Sequence, residues 1–372
     1  MSRRPRLPAE WEPHEATWLA WPHERTDWPG KFAPIPWVYG EVVRLLSRFE
    51  RVRILIEGRE EIRAARRVLL KCGAEMTAVE FFVRPTDRSW TRDTCPIFVQ
   101  AGAAIAGTHW RFNGWAKYDN WRRDARVPEF VCRRLKMRRL ETGLVLEGGA
   151  IDSNGRGSLL TTEECLLSEM QARNPGLGRQ DYERALARYL GIRKVLWLKR
   201  GIAGDDTHGH IDDLARFVNP STVVAMVETN RRERNYQPLS ENLRLLEGMS
   251  DQDGRPLRVA ALAMPAPVDF GGQRLPASYA NFYIANGLVL VPTFNDPNDR
   301  VALNKLARLF PGRVVVGIHS LDLVLGLGTI HCMTMPQFQR VAEMGPPPVV
   351  AAPGPIFPEC QDITTSCKIS SV

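Results

Sequence analysis

Apolar residues recur with the 3.6-residue helical period in only a few stretches of this chain: 60–71, 182–189, 239–249 and 300–309, with a fainter pattern over 121–135. After each comes a short, mostly apolar, β-rich run: VEFFVR (79–84), KMRRLET (136–142), KVLWLK (194–199), LRVAALAM (257–264) and RVVVGI (313–318). Pairs of strand-like runs precede four of the helices. Examples are LVLEGGAID and SLLTTEECLL around SNGRG, and SYANFYIA and LVLVPTF around Asn286-Gly287, a strong local hairpin signal. The order strand, hairpin, helix, strand thus repeats about five times at a spacing of roughly 50–70 residues, as an internal repeat does. One such unit cannot cover both faces of its own sheet, whereas five ringed around an axis can. The pattern predicts one closed α/β domain over residues 1–335, a five-bladed α/β propeller, with an ordinary mixed α/β sheet as the alternative. From 336 to 372 the chain is rich in Pro, Gly and Ser without lasting periodicity, and an extended or disordered tail is expected there.

Composition narrows the setting. The 372 residues are 44% hydrophobic and 25% charged, an ordinary globular balance with ample length for a core. No apolar run reaches the ~18 residues of a membrane span, and the N-terminus lacks the apolar stretch of a secretory signal. Seven scattered cysteines without a C-x-x-C pair favour reduced thiols, so a cytoplasmic setting is expected. The net charge of +8 raises the question of nucleic acid, and HWRFNGWAKYDNWRR (109–123) interleaves aromatics with bases. Elsewhere Arg and Lys are dispersed among acids, as in NRRERNYQ (230–237), which favours a solvated basic surface. Neither a nucleic-acid nor a membrane partner is expected.

The chemistry is carried by the segments that follow the five strand-like runs. They hold Trp90, Arg92 and Asp93 in SWTRD; Glu147 in LEGG; Asp206, His210 and Asp212 in DDTHGHIDD; Ser278 and Asn281 in PASYANF; and His331 and Cys332 in GLGTIHCMT. Equivalent positions of a ringed repeat converge on its axis, so one pocket would gather a thiol, imidazoles and several carboxylates. That set suits hydrolysis of a guanidinium. Its carbon is a poor electrophile and calls for a thiolate. Its forked N–H donors call for carboxylates in its plane. A histidine is needed to protonate departing ammonia and then activate water, and a further carboxylate to orient that histidine. A rival reading rests on THGHIDD (207–213), whose H-x-H-x-D string suggests a metal-dependent hydrolase using His208, His210 and Asp212. That motif wants a further histidine where Asp213 stands, and it gives Cys332 no task.

Taken together, PAEWEPHEATWLAWP (8–22), SWTRDT (89–94), FNGWAKY (112–118), LVLEGGAI (144–151), LLTTEECLL (159–167), DDTHGHIDDLARF (205–217), LPASYANFYIANG (275–287), VPTFNDPND (291–299) and IHCMT (330–334) resemble the agmatine deiminase family, also called the Porphyromonas-type peptidylarginine deiminase family. The resemblance runs from about residue 8 to about 336. It implies the pentein fold, a five-bladed α/β propeller, with no cofactor. The implied reaction is hydrolysis of agmatine to N-carbamoylputrescine and ammonia through a cysteine thiouronium intermediate, a step toward putrescine. It implies Cys332 as nucleophile, His210 as general acid and base, Asp93 and Asp212 as the guanidinium grip, and Glu147 as the residue orienting His210. Trp90 would wall the pocket, and Asp206 is our own candidate for the distal amine. The implied partner is a small cationic guanidino substrate; a homo-oligomer is compatible with it. Free or peptidyl arginine as substrate, and amidino transfer, stay open. The chain departs from the family pattern at Arg88, Cys95, Asp152, Leu327 and Thr329, positions that bear on substrate and rate.

Overall fold

The computed structural model describes residues 5–340. Five small sheets carry one recurring plan, most plainly in the last, where Tyr283–Ala285 pairs antiparallel with Leu288–Thr293, which pairs parallel with Val314–His319. The second sheet (Ile97–Ala101, Ala104–Arg111, Arg139–Val145), the third (Asp152–Ser153, Ser158–Thr162, Lys194–Leu198) and the fourth (Ala215–Asn219, Thr222–Val227, Arg258–Ala263) repeat it. A tight hairpin supplies the antiparallel pair; a helical crossover supplies the parallel one, as parallel neighbours require. The crossover helices are Val127–Arg134, Arg179–Leu190, Tyr236–Glu247 and Pro297–Leu309.

The first sheet is built from both ends of the described chain. His14–Ala20 pairs parallel with Arg51–Ile56, which pairs parallel with Val79–Val83, and its antiparallel partner is Met335–Phe338. The tail expected from residue 336 therefore begins as structure: Met335–Phe338 is wholly buried. Its side chains fill the space between the first two sheets, where Met335 and Phe338 join Trp18, Leu55, Phe98 and Leu146. The remainder of that expectation, 341–372, lies outside the described residues.

The helices expected from periodicity are present, each beginning one to three residues earlier than expected: Arg59–Cys72, Arg179–Leu190, Tyr236–Glu247, which also stops two residues short of the expected end, and Pro297–Leu309. A helix at Ile35–Leu46 was not signalled, because it carries Pro36 and Gly40 and the exposed Trp37 blurs its polar face. Both exceptions have local causes. Pro36 sits in the first turn, where no intrahelical donor is lost. A Cβ on Gly40 would lie 2.6 Å from Cys72 Sγ, so glycine lets this helix press against Arg59–Cys72. Two expected strands also shrink. The hairpin strand expected from LVLEGGAID is only Asp152–Ser153, and SLLTTEECLL turns into the helix Glu163–Leu167 after Thr162 caps it. Among the described residues no helix is long and apolar enough to cross a membrane.

Candidate active site

Each of the five polar segments is the connection that leaves the last strand of one sheet for the first strand of the next. They converge as expected. Trp90, Asp93, Asp206, Leu327, Gly328 and Cys332 share one cavity of about 420 Å³, walled also by Trp115 and Tyr118. His210, Glu147 and Asp212 are buried against it at 0–1% exposure.

Cys332 Sγ lies 3.1 Å from Asn281 Nδ2 and 3.6 Å from Asp212 Oδ2. Asn281 clasps the segment that carries Cys332: its Oδ1 accepts from the His331 N–H and the Thr329 hydroxyl, and its Nδ2 also donates to Asp213. Burial, reinforced by Asp212, Asp213 and Asp93, pushes the Cys332 thiol well above its ordinary range. Three carboxylates around a thiol are wasteful for an empty pocket. They make sense for one that receives a cation.

Asp93 sits in the short helix Thr91–Thr94 and accepts from Gly149 N at 2.9 Å and Trp115 Nε1 at 2.9 Å. Burial raises its pKa. Asp212 is held through Oδ2 by His331 Nδ1 at 2.7 Å, which leaves its buried Oδ1 without a partner. Burial opposes ionisation of Asp212, but His331 outweighs it and holds the carboxyl below the usual range.

His210 Nδ1 lies 4.0 Å from both Asp93 Oδ2 and Asp212 Oδ1, and Nε2 lies 3.9 Å from Glu147 Oε2. These gaps exceed hydrogen-bond length, so Glu147 acts on His210 electrostatically in this state. Burial works against a charged His210; the Asp93 carboxylate, then the Cys165 and Glu147 side chains, overcome it and hold the imidazolium well above the usual histidine range. Burial likewise opposes ionised Glu147, and Arg173, whose Nε donates to Oε1 at 2.9 Å, brings it down to about 2 together with His210. The Glu-Gly-Gly turn exists for His210. A Cβ on Gly149 would stand 2.5 Å from His210 Nδ1 and 3.0 Å from Asp93 Oδ1, and one on Gly148 would strike the Arg92 carbonyl at 2.2 Å.

Trp90 stands in the wall, 5.5 Å from Trp28 between ring centres. A Cβ on Gly326 or Gly328 would meet this pair or Cys332 within 3.0 Å, so the loop needs glycine there. Leu327 between them takes a left-handed φ of 65°, a conformation that costs a non-glycine residue roughly 1 kcal/mol. At the cavity mouth Asp206 accepts from the Tyr118 hydroxyl and, at 3.4 Å, from Lys117 Nζ. Arg88 is paired there with Asp27 and lies over the Tyr118 ring.

The metal reading of THGHIDD does not survive this geometry. His208 takes a left-handed φ of 66° and its Nε2 bonds Ser168 Oγ at 2.9 Å, on a different surface from His210. The described residues do bring Glu147, Cys165 and His210 together, with candidate ligand atoms within 4.8 Å of one another. The Arg173 guanidinium against Glu147 already supplies a positive charge there. The stretch 109–123 also changes meaning: Trp115 and Tyr118 face the cavity. Sequence reasoning missed Trp115, Arg173 and Glu10 as site residues; FNGWAKY and PAEWEPHE were visible as motifs, but their partners lie tens to hundreds of residues away.

Residues 6–337 match the model of the Porphyromonas-type peptidyl-arginine deiminase family. The chain is 35% identical over 357 residues to the agmatine deiminase of Pseudomonas aeruginosa, covering 89% of this chain and 95% of that one. Its structure resembles that of the agmatine deiminase of Enterococcus faecalis with a TM-score of 0.84 at 32% identity, covering 91% of this chain and 96% of the other. It also resembles the agmatine deiminase of C. jejuni, with a TM-score of 0.80, 27% identity, and coverage of 90% and 96%.

Proposed function

Because the chain belongs to the Porphyromonas-type peptidyl-arginine deiminase family, we propose that it is a metal-free agmatine deiminase, which hydrolyses agmatine to N-carbamoylputrescine and ammonia. The carrying observation is the buried thiol of Cys332 set among Asp93, Asp212 and an imidazolium at His210. We read the five sheets as blades of a closed propeller; the pairing of Met335–Phe338 with His14–Ala20, which joins the two ends of the ring, supports that reading.

The guanidinium enters between Asp93 and the unpartnered Oδ1 of Asp212, each offering acceptors in its plane. Its charge reverses the field that kept Cys332 protonated, and the thiol proton is released. Sγ attacks the guanidinium carbon; His210 protonates the departing nitrogen, ammonia leaves, and a thiouronium remains. Neutral His210 then takes a proton from water and hydroxide adds to the same carbon; as the C–S bond breaks, the hydroxyl proton passes to the departing Sγ, which restores the thiol beside imidazolium His210 and frees the neutral carbamoyl product. Glu147 stabilises the imidazolium in both half-reactions. Asp206, at the mouth, receives the distal ammonium in place of Lys117, which is loosely held and 42% exposed.

Arg88 and Lys117 place two cations at that mouth, and this observation favours a second reading, free arginine, whose α-carboxylate they would meet. A panel of agmatine, arginine and a peptidyl-arginine, scored for ureido product, tests the assignment. Agmatine is expected to exceed arginine by about a thousandfold in kcat/KM, since Asp206 repels a carboxylate. Equal values would reject that preference. Activity is expected to persist through prolonged chelation; loss restored by zinc or manganese would reject the metal-free mechanism.

A further inference from the structure

The reaction above uses Asp212 but leaves unexplained what fixes it. Its Oδ2 faces His331 Nδ1 at 2.7 Å, and the other ring nitrogen, Nε2, faces Glu10 Oε2 at 2.9 Å. All three side chains are buried. A neutral imidazole donates from one nitrogen only. Two ionised carboxylates accept and do not donate, so a ring bonded to both must donate twice and carry charge.

The surroundings agree with that charge. Glu10 also accepts from Arg92 at 2.7 Å and from Arg216 at 2.8 Å, and its Oε1 takes the Ile284 N–H at 2.9 Å. Arg216 bonds Asp152 at 2.8 Å. The buried cluster thus holds the carboxylates of Glu10, Asp152 and Asp212 against the guanidinium groups of Arg92 and Arg216, and a doubly donating His331 adds positive charge between two of those carboxylates. Burial opposes ionised Glu10, but Arg216, His331 and Arg92 overcome it and hold it well below the usual range.

We propose that Glu10 and His331 are positioning residues for the reaction, a carboxylate–imidazolium strut that fixes Asp212 with one oxygen bound and the other free to face the guanidinium. The inference rests on the assignment of Asp212 to the guanidinium grip. The strut links the two ends of the described chain: Glu10 precedes its first strand and His331 lies four residues before its last. It also makes His331 act through Asp212, although it adjoins the nucleophile in sequence. Both its ring nitrogens are taken, by Asp212 and Glu10, so neither is left to serve as the base for the thiol.

The test compares two alkylating reagents for Cys332, a cationic halo-amidine and neutral iodoacetamide, on the full-length protein and on Glu10→Gln, His331→Gln and His331→Phe. Only the cationic reagent needs Asp212 in place. The strut predicts that the ratio of cationic to neutral alkylation rates falls about 30-fold or more in His331→Phe, as expected when a buried charge pair loses a partner, and less in Glu10→Gln. It also predicts that the acidic limb of kcat/KM moves to higher pH in His331→Phe, because Asp212 loses the donor that favours its ionised form. A purely architectural role would slow both reagents alike and leave the limb where it was; either result in a folded variant overturns the proposal. If His331→Phe does not fold, Glu10→Gln and His331→Gln decide by the same ratio. The alkylation readout needs no substrate, so its failure is distinct from a wrong assignment of agmatine.

Discussion

At the scale of single residues, the site is organised around charges that the empty pocket tolerates poorly. Cys332 is pushed above its ordinary range by burial and neighbouring carboxylates. Thiolate is therefore scarce in the free enzyme near neutral pH, and iodoacetamide should react slowly there and faster as pH rises. A cationic halo-amidine brings the charge the site lacks and should react at least ~100-fold faster at pH 7; equal rates would contradict the electrostatic account. Cys332→Ala should lower kcat by about 10⁴ or more, as loss of a covalent nucleophile does, with binding of agmatine retained by calorimetry. Gly149→Ala tests the turn under His210. The added methyl would stand 2.5 Å from His210 Nδ1, so turnover should fall at least ~100-fold while the circular dichroism spectrum stays that of the parent. Near-normal turnover would mean that His210 need not sit where it is seen.

At the scale of elements, the five β-rich runs and four strong helical periods were legible because each pairs a local pattern with a local function. The Asn286-Gly287 turn is an instance: Gly287 has φ 70° and joins Tyr283–Ala285 to Leu288–Thr293. The helix Pro297–Leu309 is another, capped by Asp296, whose side chain accepts from Asn298 N while Asp299 answers at the cap. Asp296→Ala should cost about 1 kcal/mol in urea unfolding and leave kcat unchanged. What could not be read was whatever depended on distant partners. Glu147 announces itself before two glycines, but nothing local says that Arg173, 26 residues on, sets its charge. The Asp152–Ser153 strand is too short to show alternation. Ile35–Leu46 hid because Pro36 and Gly40, both poor helix formers, interrupt its pattern and Trp37 puts an apolar ring on its exposed face.

At the scale of the whole molecule, stability and activity share the same buried ions. Glu147, lowered from 4.5 to about 2, and Glu10, also lowered, favour the folded state once their unfolded counterparts are ionised. Their contribution is present above about pH 4.5 and is lost as pH falls through the folded values. Urea midpoints should thus drop between about pH 4.5 and 2, and Glu147→Gln should flatten that part of the curve; an unchanged slope would assign the acid sensitivity elsewhere. Removing residues 335–372 should abolish activity and leave the protein insoluble, because His14–Ala20 would present an unpaired edge; an active truncated protein would rule this out. The closing of the first sheet by Met335–Phe338 also sets an order of events during synthesis. Cys332 is followed at once by the strand that completes the sheet begun by His14–Ala20. A growing chain therefore carries an unfinished edge until residue 338 has been made, and it acquires Cys332 in the same few residues that finish the edge. Such a chain has no catalytic life as an intermediate, and the first turnover can serve as a clock for completion of the first sheet.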